Sequence, residues 1–271
     1  MTQRIAFIGG GNMASAIIGG MVQQGFQASH IDVVEPFDAT RERLQTELGV
    51  TTHAQAGAFL GDAGTVIWAV KPQIFHQVTD TVRAHTAGAL HISVAAGIRS
   101  DSIAAWLGNE RVVRTMPNTP ALIGRGITAL FARPAISAQD REQAQRIMGS
   151  TGAYLWLQAE AQLDAVTALS GSGPAYMFYF MEAMTQTGVK LGLDAAQAHQ
   201  LAVATFIGAG ELARASQDPP EVLRQRVTSK GGTTYAAITS MDNSGVKDLF
   251  AKAMHAAHRR AQEMGDEFGK A

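Results

Sequence analysis

The chain has no cysteine. That excludes disulfides, thiolate nucleophiles and cysteine metal sites, and it fits a cytoplasmic protein without deciding it. Net charge is nearly absent as well: 22 Lys and Arg against 23 Asp and Glu leave −1 at neutral pH. Nothing in that balance points to nucleic acid or to an anionic membrane. No apolar run approaches the length of a membrane span. The N-terminus enters an apolar strand with no basic segment and h-region before it, so no signal peptide is expected. The eight histidines are scattered, and although His255 and His258 share a helix face, no carboxylate cluster accompanies them. No metal site is expected there. What the chain does have is apolar content: 46% hydrophobic against 17% charged over 271 residues, enough to bury one large or two modest cores.

The first informative stretch is Ile5-Ala6-Phe7-Ile8-Gly9-Gly10-Gly11-Asn12-Met13-Ala14. A short apolar run turns through glycines into small and apolar residues, as a buried parallel strand turns into a helix. The spacing Gly9-x-Gly11-x-x-Ala14 is a dinucleotide fingerprint in its alanine form. Gly9 permits the tight turn, Gly11 lets a pyrophosphate approach, and Ala14 lets the helix lie close on the strand. The following helix N-terminus offers free N–H groups to phosphates.

Strand and helix patterns then alternate. Strands are expected at 4–8, 30–35, 65–70, 89–94, 111–115, 127–132 and 153–157. Helices are expected at 13–24, 39–48, 74–85, 101–107 and 137–148. This is a doubly wound, mostly parallel α/β sheet, whose ligands bind beyond the carboxyl ends of strands. The loops of interest are therefore Gly9–Met13, Glu35–Asp38, Val70–Pro72, Ala95–Gly97 and Met116–Pro120. Glu35 ends the second strand, where an acid hydrogen-bonds the adenosine ribose of NAD and repels the extra phosphate of NADP. Alternatively it caps the next helix. Arg41 and Arg43 follow on a helix free to turn them to water. Lys71 reads either as a cation beside the cofactor or as an exposed lysine. The prolines Pro117 and Pro120 make the next loop rigid, and Asn118 gives it a donor and acceptors.

Beyond Gln158 no strand is evident, and the domain boundary is drawn near 158–163. A helix spans 162–169, Ser170–Pro174 breaks the chain, and helices follow at 175–190 and 195–212. Both are apolar nearly all round. A domain of little more than 100 residues cannot bury two such helices alone, so an obligate, intertwined dimer is expected. A short helix over 221–227 precedes a polar loop, Thr228–Thr234. In it Ser229, Thr233 and Thr234 are placed as caps and hydroxyl donors, and Gly231 and Gly232 keep the backbone accessible. That is an anion pocket suited to a carboxylate, or simply a capped helix. A last amphipathic helix starts near Val246.

Five segments in this order carry a resemblance: Gly9–Ala14, Ala69–Gln73 (A-V-K-P-Q), Met116–Pro120 (M-P-N-T-P), Ser170–Tyr176 (S-G-S-G-P-A-Y) and Val227–Met241 (V-T-S-K-G-G-T-T-Y-A-A-I-T-S-M). The chain resembles the Δ1-pyrroline-5-carboxylate reductase family over essentially its whole length. The resemblance implies reduction of 1-pyrroline-5-carboxylate to L-proline with a hydride from NADPH or NADH. It implies an N-terminal Rossmann domain (1–160) and an all-α C-terminal dimerisation and substrate domain (161–271). It implies a homodimer, with a higher oligomer of dimers left open. Ser229, Gly232, Thr233 and Thr234 would hold the substrate carboxylate and ring nitrogen, with Thr234 as the catalytic group. Gly9, Gly10, Gly11, Asn12, Met13, Glu35, Ala69, Val70, Lys71, Pro72, Ala95, Ala96, Gly97 and Asn118 would hold the cofactor. Glu35 departs from members with a small or basic residue there and leaves the choice between NADPH and NADH open. A site of hydroxyls and backbone N–H groups suits a protonated imine, which is already electrophilic and needs mainly positioning. A 3-hydroxyacid dehydrogenase would need a lysine on the first interdomain helix, and 172–189 contains none. A nicotinamide-binding regulator would not need the second anion pocket.

Overall fold

The structure is a computed structural model describing residues 4–269. Its chain forms two compact units, one of residues 1–172 with 257–271 and one of 173–256. The first unit is built on an eight-stranded sheet, in the order β3-β2-β1-β4-β5-β6-β7-β8. The strands are β1 (Arg4–Ile8), β2 (Ile31–Val34), β3 (Thr51–His53), β4 (Ala63–Trp68), β5 (Leu90–Ser93), β6 (Val112–Met116), β7 (Gly126–Ala132) and β8 (Gly152–Trp156). The β6–β7 pair runs antiparallel, and the neighbours of β1 on both sides run parallel to it. The helices are α1 (Asn12–Gln23), α2 (Asp38–Leu48), α3 (Pro72–Val82), α4 (Ser100–Leu107) and α5 (Ala138–Met148).

Alternation along the strands divides the core. Ile5 and Phe7 of β1 join Ile17, Ile18 and Met21 of α1, Leu44 of α2, and Ile147 and Met148 of α5 on one face. Ala6 and Ile8 join Phe75 of α3 and Ile103 and Leu107 of α4 on the other. A strand buried on both faces reads as a nearly continuous apolar run, as Ile5–Ile8 of β1 and Val66–Trp68 of β4 do. Trp68 of β4 is fully buried and stacks on Phe75, ring centroids 4.8 Å apart. The edge strand β3 was not expected. It is three residues, Thr51-Thr52-His53, too short and polar for a periodic signal. Its His53 reaches buried Asp32 at 2.9 Å.

Past the sheet, α6 (Gln162–Val166) runs into a π turn over Thr167–Gly171, then α7 (Gly173–Lys190). The expected break at Ser170–Pro174 narrows to a single bend at Ser172, with Pro174 in the first turn of α7 as expected. Ser172 donates its N–H back to Thr167 at 2.8 Å, the chain stays helically wound, and Pro174 falls where no internal N–H is needed. The second unit holds α7, α8 (Ala195–Ala215), α9 (Pro220–Arg226), α10 (Thr233–Asn243) and the start of α11 (Val246–Phe268). Phe250 of α11 meets Tyr176 and Phe180 of α7 with ring centroids 5.5 and 5.8 Å apart. No residue of α7 is buried, and α8 buries only Ala198 and Ala202. Phe178, Tyr179, Leu201, Ile207 and Leu212 stand more than half exposed. Among the described residues no helix is long and apolar enough to cross a membrane.

Candidate active site

The strand order reverses direction at β1, between β2 and β4. Open parallel sheets bind ligands at this switch point, beyond the carboxyl ends of the strands. The glycine turn lies there. Gly9 has φ +99°, and a Cβ on it would fall 2.6 Å from the Ala69 carbonyl oxygen. Its N–H donates to Val34 of β2 at 2.8 Å, and the Ala69 N–H donates to Ile8 at 2.8 Å. These bonds close the turn against both neighbouring strands. A Cβ on Gly11 would meet open space. Gly11 is the N-cap of α1, with no side chain capping the helix. The first N–H groups of α1, from exposed Asn12 and half-buried Met13, are thus left for an external acceptor. The site fits a pyrophosphate.

Glu35 sits just past β2, 7% exposed. Its Oε2 accepts the Gly10 N–H at 2.8 Å, and its Oε1 accepts the Phe37 N–H at 3.0 Å. Arg41 does not turn to water, whereas Arg43 stays partly exposed, its side chain 40% accessible. The two η nitrogens of Arg41 bend back to the Glu35 and Pro36 carbonyls, 2.8 Å each, and to the Asp38 carboxylate. Arg43 donates to Ser15 at 3.1 Å and pairs with Glu47 at 3.3 Å. The carbonyls bared by Pro36 at the turn draw Arg41 inward. Ala69, Val70, Lys71 and Pro72 follow β4. Lys71 is exposed, and its ammonium has no ion-pair partner among the described residues.

Ala95, Ala96 and Gly97 follow β5. Gly97 has φ +77°, and a Cβ there would fall 2.8 Å from Cβ of Met264. The last turns of α11 thus close on this loop, and Arg99 pairs with Asp266 at 3.0 Å. Asn118 follows β6. Its Nδ2 donates to the Ser170 carbonyl at 3.2 Å and its Oδ1 accepts the Ile127 N–H at 3.0 Å. Its amide therefore ties the rigid proline loop to the segment before α7. The adjacent parallel strands bring all these loops to one edge of the sheet.

Ser229, Gly232, Thr233 and Thr234 come together at the start of α10 in the second unit. One expectation is corrected there: none of the three hydroxyls caps the helix. Gly232 takes the cap position without a side chain, and Thr233 and Thr234 fall inside the first turn. Gly232 donates to the Ser229 carbonyl at 3.0 Å, folding the turn through Gly231. A Cβ on Gly232 would fall 2.8 Å from the Ser229 Oγ. The hydroxyls of Ser229, Thr233 and Thr234 make no hydrogen bond among the described residues, whereas Thr228 bonds Arg224 at 2.6 Å. Unused hydroxyls beside an uncapped helix start are chemically suited to an anion.

The sequence reading missed one cluster behind the site. Glu160 accepts the Ser100 N–H and hydroxyl at 2.6 Å each and pairs with buried Arg114 at 3.0 Å. It caps α4 from 60 residues away, and no local pattern signals it. Among the described residues no three His, Cys, Asp or Glu side chains gather to hold a metal.

Comparison with known proteins accords with this arrangement. Residues 160–264 match the family model for pyrroline-5-carboxylate reductase dimerisation, and 4–97 match one described as NADP oxidoreductase, coenzyme F420-dependent. The chain is 44% identical over 271 residues to the pyrroline-5-carboxylate reductase of Pseudomonas aeruginosa, covering 99% of each. The chain belongs to the pyrroline-5-carboxylate reductase family. Another family member, from Haemophilus influenzae, is 40% identical over 263 residues, covering 96% of this chain and 97% of the relative. Among solved structures, the pyrroline-5-carboxylate reductase of Coxiella burnetii superposes with a TM-score of 0.90 at 36% identity, covering 97% and 99% of the two chains. The Plasmodium falciparum pyrroline carboxylate reductase, solved with NADP bound, gives 0.88 at 26% identity, covering 97% and 98%.

Proposed function

We propose that this chain reduces 1-pyrroline-5-carboxylate to L-proline with NADPH or NADH, as a pyrroline-5-carboxylate reductase in proline biosynthesis. One observation carries the reading: the same chain holds an open dinucleotide turn at Gly9–Met13 and a second anion receptor of unused hydroxyls at the start of α10. The bound nicotinamide supplies the hydride. The chain supplies position. The α1 start and Gly11 seat the pyrophosphate, and the loops at Ala69–Pro72 and Ala95–Gly97 shape the edge beyond β4 and β5. Asn118 acts with them by fixing the proline loop. Ser229, Thr233 and the N–H groups of α10 bind the substrate carboxylate. A protonated imine carbon is already electrophilic, so a site without a strong acid is sufficient. The Thr234 hydroxyl hydrogen-bonds the ring nitrogen and holds its proton as the amine forms.

In this reading residues 1–160 serve the dinucleotide, and 161–271 serve the substrate and the dimer. The chain works as a homodimer, intertwined through α7 and α8, with dimers able to associate further, and it resides in the cytoplasm. The test is oxidation of NADPH and of NADH with and without 1-pyrroline-5-carboxylate, with proline measured as product. Cofactor binding without substrate-dependent oxidation would reject the reaction. Thr234→Ala should lower turnover about 100-fold, as loss of one hydrogen bond accepted from a charged N–H does, with an unchanged melting temperature. Wild-type kinetics in that variant would remove Thr234 from the mechanism.

A further inference from the structure

The loop after β2 holds a carboxylate that is fixed and two cations that are engaged. Glu35 accepts backbone N–H groups from both sides, Gly10 at 2.8 Å and Phe37 at 3.0 Å. A carboxylate has about four acceptor positions, so these bonds leave roughly two for a ligand. They also lock the group between the glycine turn and the entry to α2. An acceptor pair at the carboxyl end of the second strand is suited to a vicinal diol. It opposes a phosphate monoester, which carries a charge of about −1.5 to −2 near neutral pH. Binding such a phosphate calls for a free cation. Arg41 and Arg43 are the cations of residues 35–48. Arg41 is held by the Glu35 and Pro36 carbonyls and by Asp38. Arg43 is held by Ser15 and Glu47. Releasing Arg41 would also strip the loop of the bonds that satisfy its carbonyls.

We infer that this chain selects NADH over NADPH, with Glu35 the residue that decides it. Glu35 accepts the adenosine ribose hydroxyls and repels a 2′-phosphate, and both arginines of the loop are already drawn to other acceptors. The inference rests on the reading of the glycine turn as the dinucleotide site. Glu35 also shapes the turn, and the test must separate the two roles.

The experiment titrates the purified dimer with NADH and with NADPH, following nicotinamide fluorescence, in wild type and in Glu35→Gln, Glu35→Ser and Arg41→Ala. The wild type should bind NADH about ten-fold or more tightly than NADPH, about 1.4 kcal/mol for each decade. Glu35→Gln keeps one acceptor oxygen and removes the charge. It and Glu35→Ser should shift the ratio towards NADPH by about ten-fold, even where both affinities fall. Arg41→Ala should weaken both cofactors alike. Tighter binding of NADPH by the wild type overturns the inference. So does a ratio unchanged in both Glu35 variants, which would make Glu35 a loop brace only. Selective loss of NADPH binding in Arg41→Ala would show a phosphate clamp and also overturn it. These titrations need no substrate. Selective NADH binding without imine reduction would refute the reaction and uphold the preference.

Discussion

Gly9 shows how little freedom a single position has when backbone passes close by. Any side chain there must adopt φ +99° and place its Cβ 2.6 Å from a carbonyl oxygen of the neighbouring loop. Backbone strain of that kind costs about 1–3 kcal/mol before the collision is counted. Gly9→Ala should therefore lose dinucleotide affinity and lower the melting temperature, as titration and calorimetry would read. His91 of β5 is a second such residue. It is 1% exposed and accepts the Trp68 indole N–H at 3.0 Å on Nδ1. Burial is the largest cause holding its pKa down at about 4, with Arg111 acting in the same direction and the Thr86 backbone opposing. The unfolded imidazole titrates near 6.5. Between those values the unfolded chain binds the proton and the folded chain does not. Stability should be full above pH 6.5 and fall as the pH drops towards 4, by on the order of 3 kcal/mol. His91→Asn keeps an acceptor for Trp68 and should flatten that slope in denaturant titrations across pH 4 to 7.

The elements around the site are held by contacts distant in sequence. Helix α4 begins without a side-chain cap of its own, and Glu160 supplies one through Ser100 while neutralising Arg114. The Arg114 side chain is only 5% exposed. Glu160→Ala leaves a buried cation unpaired and α4 uncapped, a loss of about 3 kcal/mol or more. Urea unfolding would measure it. A loss below 1 kcal/mol would mean that water reaches Arg114 and the α4 start and compensates. The end of α11 acts similarly on the loop after β5, where Met264 closes over Gly97.

At the scale of the whole molecule, the second unit is unfinished as a single chain. Its longest helices expose Phe178, Tyr179, Leu201, Ile207 and Leu212. At about 25 cal/mol per Å² of apolar surface, leaving such a face in water forgoes a large part of a domain's stabilisation. Covering it with a second copy is the function matched by the dimerisation model over residues 160–264. Ile207→Asp paired with Tyr179→Glu should yield monomers by light scattering and a melting transition that is lower and independent of concentration. A dimer of wild-type stability in that double variant would move the interface elsewhere.

Local order determined much of this protein. Apolar periodicity and glycine spacing were enough for β1, α1 and their turn, because a strand buried on both faces and a tight turn each demand particular residue types at short range. The same holds for the apolar character of α7 and α8, from which a partner follows by counting surfaces. The strand β3 was illegible because three polar residues at a sheet edge have no period. The continuity of the chain through Thr167–Gly171 was illegible because glycines and serines permit a π turn as readily as a break. The partners of Glu35, Asn118, His91 and Glu160 were decided by tertiary structure alone. Each bonds to backbone or side chains brought close by folding, and a hydrogen bond depends on distances that sequence order does not contain. Whether a polar residue is spent within the fold, as Glu35 is on Gly10 and Phe37, or left without a bond, as the Thr234 hydroxyl is among the described residues, is for the same reason a property of the folded chain.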